Sequence, residues 1–207
     1  MNMSNRMLVV IATAAVAVVG CATVGDKSVT PDDLKVIKAS FKEHGQAKLD
    51  RLDQDDAQRL CSSAPPASVA KDAAERVEKS NRSAIRYPAD GKLLGDWQAG
   101  ERIAQSGRGK QYSDDPKASS GGNCYACHQL SKSEISFGTI GPSLLGYGKI
   151  RGNSAEIQRY TYGRIYNPQA YSACSNMPRF GHNGILTEKQ IRDVTALLLD
   201  PNSPVNQ

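Results

Sequence analysis

The chain has 207 residues, of which 39% are hydrophobic, 23% charged and 6% aromatic, with a formal charge of +5. That composition fits one or two soluble globular domains. The basic excess is too small for a polybasic nucleic-acid binder, and no apolar run is long enough to span a bilayer; a modestly positive surface instead suits an acidic protein partner or small anions.

Arg6 is the only charged residue before Asp26, and Met7 to Gly20 form a 14-residue apolar run. This is the size of a signal-peptide core, so residues 1–21 are expected to be an export signal and the mature chain to reside in a bacterial periplasm. The cleavage site has two readings. Val18-Val19-Gly20-Cys21 resembles a lipoprotein signal, in which Cys21 is lipidated, becomes the first mature residue and anchors the chain to the outer membrane. The competing reading is ordinary cleavage after Ala22.

Residues 22–86 read as a helical extension. Thr30-Pro31-Asp32-Asp33 supplies a capping hydroxyl, a proline at the first helical position and acids in the first turn. Leu34, Ile37 and Phe41 then share one apolar face, and His44-Gly45 is the expected stop. A second, weaker helix is expected over 46–60, carrying Leu49, Leu52 and Leu60. Residues 62–68 (SSAPPAS) are linker-like. A third helix is expected over 69–80, with Ala73, Ala74 and Val77 inward. These helices are too poor in apolar residues to form a core alone and are expected to lie against the following domain or a partner chain.

Residues 87–207 read as a compact haem domain. Asp96 caps a helix from Trp97 to Gln105, with Gly100 in its interior; a glycine there costs about 1 kcal/mol against alanine, which suggests a close helix crossing. A long polar loop, 106–123, leads to Cys124-Tyr125-Ala126-Cys127-His128. This Cys-x-x-Cys-His run is the attachment pattern of a c-type haem. Two thiols so spaced can add to the two vinyl groups of one haem, and the next residue's imidazole then lies under the iron. A thioredoxin-like pair and half a zinc site are the bland alternatives, and no second Cys/His pair at zinc spacing is present. Asn153-Ser154-Ala155-Glu156 looks like a capping box opening a helix to Tyr166, ended by Asn167-Pro168. Thr187-Glu188-Lys189-Gln190 opens the last helix, through Leu199, with Ile191, Val194, Leu197 and Leu198 as its buried stripe.

Five cysteines are present. With one haem c on Cys124 and Cys127, and Cys21 lipidated or removed, Cys61 and Cys174 remain as an even pair in an oxidising compartment. They are expected to form a disulfide stapling the N-terminal segment to the loop before Met177, the alternative being two free thiols. Of the four methionines, Met1, Met3 and Met7 leave with the signal. Met177 is therefore expected to be the second axial ligand beside His128, with His182 and His44 as rivals. With both iron faces occupied, no catalytic residue is expected in this chain. Arg108, Lys110, Lys149, Arg151, Arg164 and Arg179 lie in or near haem-domain loops, where the expected role is a solvated face and the alternatives are partner docking, guidance of an anionic substrate or contact with a haem propionate.

The order helix, haem motif, Gly-Pro loop, helix, methionine loop, helix resembles the all-α class I cytochrome c fold, here with an N-terminal helical extension. In that family the first and last helices cross, which would put Gly100 at the crossing. The proline of a Gly-Pro-x-Leu segment offers its carbonyl to the proximal histidine there, and Pro142 matches that position.

A narrower resemblance rests on residues 141–148 (GPSLLGYG), Ile165-Tyr166-Asn167-Pro168 and Asn176-Met177-Pro178-Arg179-Phe180-Gly181, with Leu186-Thr187-Glu188 and residues 197–201 (LLLDP). Together these are similar to SoxX, the monohaem subunit of the SoxAX cytochrome. The resemblance implies an electron-transfer subunit of an L-cysteine S-thiosulfotransferase, which joins thiosulfate to a cysteine of the SoxYZ carrier. It implies a heterodimer with the SoxA haem subunit, which would hold the reactive cysteine, and a small soluble c-type cytochrome as electron acceptor. The alternative is a free-standing periplasmic monohaem electron carrier.

Overall fold

The computed structural model describes residues 30–63 and 65–207; the signal segment and Cys21 lie outside these. The described residues are helical, and the sole β feature among them is an isolated bridge between His44 and Ala47. Seven α-helices follow in order: α1 (Pro31–Ser40), α2 (Asp56–Ser63), α3 (Lys71–Ser83), α4 (Trp97–Gln105), α5 (Tyr147–Arg151), α6 (Ala155–Tyr166) and α7 (Glu188–Leu199). None is long and apolar enough to cross a membrane.

The core lies between α4, α6 and α7. Ala104, Leu130, Tyr162, Ile191 and Leu197 are almost fully buried there, and the whole expected stripe of α7 is buried. Gly100 sits where α4 crosses α7: a Cβ on it would lie 2.1 Å from the Asp193 carbonyl oxygen and 3.1 Å from the Leu197 Cβ. The buried Asp193 carboxylate accepts the backbone N–H of Asp96 at 2.9 Å, which ties the start of α4 to α7. The chain's C-terminal turn closes the other side, where the buried Asn206 side chain donates to the carbonyls of Leu198 and Asp200 and accepts from Gly148.

The caps follow the sequence at three helices, and at α4 the Asp96 carboxylate accepts the Gln98 N–H at 2.9 Å. Thr30 and Asp33 form a reciprocal capping box on α1, and Thr187 and Gln190 form one on α7. Thr187→Ala removes the α7 hydroxyl cap and is expected to cost about 1 kcal/mol of stability, read as a lowered denaturant midpoint with unchanged slope.

Two local expectations are corrected. No continuous helix covers 46–60: a 3-10 turn spans Leu49–Leu52 and α2 begins only at Asp56. The reason is a second box, in which Asp55 accepts the Gln58 N–H and Gln58 accepts the Asp55 N–H, each at 2.9 Å, so a helix start stands where a helix interior was expected. At α6 the cap is Ser154, which accepts from Ile157, and no box with Glu156 forms. The short α5 was not anticipated; glycines at positive φ, Gly146 and Gly152, bound it and leave too few residues for a periodic signal.

The extension divides in two. Every residue of α1 is exposed, Leu34 and Ile37 included, as is Phe41 just past its end, so this apolar face is uncovered by the described residues. By contrast, α2 and α3 lie on the segment after α6. Ala57, Val77 and Ala173 form a small second core there, with Leu60, Ala74 and Cys174 packed on it. Cys61 and Cys174 are joined by a disulfide with Cα atoms 5.4 Å apart.

Asp55 also pairs with Arg179. Burial raises the Asp55 carboxyl's pKa, but the Gln58 N–H and the Arg179 guanidinium outweigh it, and the net shift is downward from 3.8. A depressed folded value means this group's stabilisation is complete above the unfolded value and is lost as pH falls through the folded one. The stability gap between the wild type and Asp55→Asn is therefore expected to hold from neutral pH down to about 3.8 and to close below it, measured as denaturant midpoints across the acid range.

Candidate haem site

Cys124, Tyr125 and Ala126 form a single 3-10 turn. The chain enters it through Asn123, held in the left-handed region at φ 46°. The Gly122 and Asn123 N–H groups bond to the Ile103 and Ser106 carbonyls, so the end of α4 fixes the entrance. The N–H groups of Cys127 and His128 both turn back to the Cys124 carbonyl, at 3.1 and 2.8 Å. Sequence-adjacent residues are thus brought to one side of the turn by the turn alone.

Cys124 and His128 open onto an apolar pocket, walled by Leu130, Leu144, Phe180 and Leu198, with Met177 on its lining. Burial pushes the Cys124 thiol up to about 12, so it is a neutral group in an apolar wall at physiological pH. Among the described residues no group of three His, Cys, Asp or Glu side chains could hold a metal ion.

The imidazole is held on its far side by the Gly-Pro loop. His128 Nδ1 lies 2.7 Å from the Pro142 carbonyl oxygen. A carbonyl can only accept, so Nδ1 carries the proton and Nε2 keeps its lone pair for a metal. Gly141 lies directly against the ring: a Cβ there would stand 2.2 to 2.7 Å from three imidazole atoms. Its N–H bonds to the Cys127 carbonyl at 2.9 Å, and the Gly138 N–H bonds to the Tyr125 carbonyl at 2.8 Å, which clamps residues 131–141 onto the haem motif.

Met177 is half-buried, in the loop between α6 and α7. The loop turns over the end of α6, where the N–H groups of Gly181 and His182 both bond to the Tyr166 carbonyl. Gly181 packs on the Tyr166 ring so closely that a Cβ would stand 2.2 Å from it. His182 is exposed and is not among the residues lining the pocket. His44 packs edge-on to Tyr112, ring centroids 4.6 Å apart, and is also not among them.

Of the basic residues, Arg108, Lys110, Lys149 and Arg151 are exposed. Arg179 corrects the expectation of a solvated face, since it is 8% exposed and ion-paired with Asp55. Arg164 is half-buried and donates to the Pro168 carbonyl at 3.2 Å. Three further residues were not singled out: Gly141 as the seat of the imidazole, Tyr166 as the seat of the methionine loop, and Asp55 as the partner of Arg179. The first two stand inside the Gly-Pro and Ile165–Pro168 motifs, but nothing local distinguishes a glycine under a ring from a turn glycine.

Residues 106–200, which contain the pocket, match the cytochrome c family. Residues 106–200 form a cytochrome c domain, and the all-helical fold around them is that of a class I cytochrome c. This domain binds one haem c covalently, which the adjacent thiols of Cys124 and Cys127, the oriented imidazole and the apolar walls of this pocket suit. Over 184 residues the chain is 38% identical to an "Uncharacterized lipoprotein" of Aquifex aeolicus (strain VF5), covering 84% of this chain and 86% of that one, and the two belong to one family. The crystal structure of SoxXA from P. pantotrophus is similar over 57% of this chain and 95% of that chain, with 23% identity and a TM-score of 0.38.

Proposed function

We propose that Cys124 and Cys127 hold the haem by thioether bonds, with His128 and Met177 as the axial ligands of the iron. The observation that carries this reading is the shared pocket: three of the four residues line it, and the fourth, Cys127, belongs to the same turn. Pro142 serves as the orienting partner of His128, holding its proton on Nδ1. The bound haem supplies one-electron oxidation and reduction. Met177 offers a neutral thioether, which favours the ferrous state and raises the reduction potential relative to a second imidazole. The apolar walls exclude water from the ligands. With His128 and Met177 both given to the iron, a bound haem would offer no open position to oxygen or peroxide, so these residues suit electron transfer rather than activation of a substrate.

The finer reading is the electron-transfer subunit of a SoxAX-type L-cysteine S-thiosulfotransferase. It is supported by the sequence motifs around Pro142, Asn167 and Met177, which now stand around one pocket. Its partners would be a SoxA-type haem subunit, the SoxYZ carrier and a small soluble c-type cytochrome. The test is co-purification from a thiosulfate-grown cell: a stable complex with a second c-type cytochrome, reduced on adding thiosulfate and carrier, is expected. A clean monomer that thiosulfate never reduces in that extract would leave the free-standing carrier.

A lipid anchor at Cys21 is supported by residues 18–21 and by the name of the Aquifex aeolicus relative. The mature N-terminal peptide is expected to carry the mass of a lipidated Cys21 in the outer-membrane fraction; an unmodified Thr23 start would remove the anchor.

A further inference from the structure

We propose that α2 and α3 are a brace for the methionine loop, so that Asp55, Cys61, Glu78, Asn81 and Arg82 are positioning residues for the iron's sixth ligand. The proposal rests on the assignment of Met177 as that ligand.

The brace is selective in what it touches. Side chains of residues 55–82 bond to the haem domain at several points, and among the described residues every one of these falls on residues 167–179. Arg82 donates twice to the Ala170 carbonyl, at 3.2 and 2.9 Å. Glu78 accepts the Ala173 N–H at 3.1 Å. Asn81 accepts from the Asn167 amide at 2.8 Å. Cys61 is bonded to Cys174, and Asp55 pairs with Arg179. Cys174 and Arg179 stand on either side of Met177, so the loop is gripped before and after the ligand.

Packing agrees with this. The small core of the extension is completed by the loop's own Ala173 and Cys174, so α2 and α3 cannot bury their apolar side chains without seating the loop. Arg179 gives the same coupling a charge. It is 8% exposed, and a buried guanidinium is tolerated only with a partner. Asp55 is the ion-pair partner it has among the described residues. It reaches Arg179 through one carboxylate oxygen while the other caps α2, so the start of α2 and the turn after Met177 are built from one side chain.

The physical need is plain. A thioether is a weak, neutral ligand, and its loop has no regular structure between the 3-10 turn at Pro168–Ala170 and α7. A loop free to sample open conformations would leave iron five-coordinate part of the time. Restricting that loop beforehand removes the open population without adding any contact to iron. The disulfide makes the device sensitive to reduction, because losing one covalent tie raises the open fraction.

The test uses the full-length haem-loaded protein. Imidazole is titrated into the ferric form, and its displacement of the methionine is followed by loss of the weak red absorption of the sulfur–iron bond. For a ligand that binds only the open state, apparent affinity scales with the open fraction. Asp55→Asn and the double variant Cys61→Ser, Cys174→Ser are each expected to bind imidazole roughly tenfold more tightly than wild type, while their helical circular dichroism is retained. Gln46→Ala is the control. Gln46 donates to the carbonyls of Gln111 and Asp114, away from the methionine loop, and its loss is expected to change nothing at iron. Should the cysteine variant not fold, Asp55→Asn and Glu78→Gln carry the test alone. A normal red band in wild type with unchanged imidazole affinity in the brace variants overturns the brace and leaves the ligand assignment standing. No red band in wild type overturns the assignment itself, and the brace with it.

Discussion

Gly100→Ala should destabilise the haem domain by about 2–3 kcal/mol, although the same change in an isolated helix stabilises by about 1 kcal/mol. The two effects have opposite signs, and distance decides between them. A Cβ at Gly100 would stand 2.1 Å from the Asp193 carbonyl oxygen and 2.6 Å from its carbonyl carbon. Both are backbone atoms of α7, which cannot rotate away as a side chain could. The helices would have to move apart by more than 1 Å at the crossing, which loosens the packing of Leu197 and Ala104 in the core. Leu198 and Val194 on α7 also line the haem pocket, so the displacement would reach the cofactor. Gly100→Val should prevent accumulation of the folded holoprotein. The measurements are denaturant midpoint for the alanine variant and yield of haem-stained protein for the valine variant. An alanine variant more stable than wild type would show that the crossing is looser than described.

The second large effect is expected at iron. Met177→Ala should abolish the red absorption of the ferric form, lower the reduction potential, and open the iron to cyanide, imidazole or carbon monoxide. The haem should stay bound, because the thioether bonds to Cys124 and Cys127 do not depend on the sixth ligand. Met177 is half-buried, so the stability loss should lie near the lower end for a methionine truncation, about 2 kcal/mol. The contrast between a retained chromophore and a lost band separates this variant from simple unfolding. His182→Ala should change neither the band nor the potential. A band that survives in Met177→Ala and disappears in His182→Ala would move the ligand to the rival histidine, against the exposure of His182 and its absence from the pocket lining.

The two effects differ in how far each could be anticipated. A glycine in the interior of α4 is visible in the sequence as a local cost that something must offset. That the offsetting partner is the Asp193 backbone, and how near it lies, appears only when α4 and α7 are placed together. Met177 is visible by elimination, since the other methionines lie in the expected signal segment. The leftover cysteine pair points to a tie between the N-terminal segment and the methionine loop, but that the loop also sits on Tyr166 and is held by Asp55, Glu78, Asn81 and Arg82 is not visible, because none of these contacts carries a periodic signal. The second helix of the extension failed for a related reason. Asp55 and Gln58 form a capping box, but the surrounding leucines at 49, 52 and 60 suggested one continuous face.

What the amino-acid order determined by itself is the chemistry that depends on neighbours along the chain. Two thiols and an imidazole within five residues define how a haem is attached, and hydroxyl or carboxylate caps at Thr30, Asp96 and Thr187 mark where helices begin, because these interactions close within a turn. Tertiary structure decided which distant faces meet. It set Gly141 beneath the imidazole, gave the buried Arg179 its carboxylate, and laid α2 and α3 on the methionine loop while leaving α1 uncovered. Those outcomes depend on packing and on satisfying buried charge and backbone groups across the whole domain, and no local pattern of residues encodes which of the available partners will be nearest.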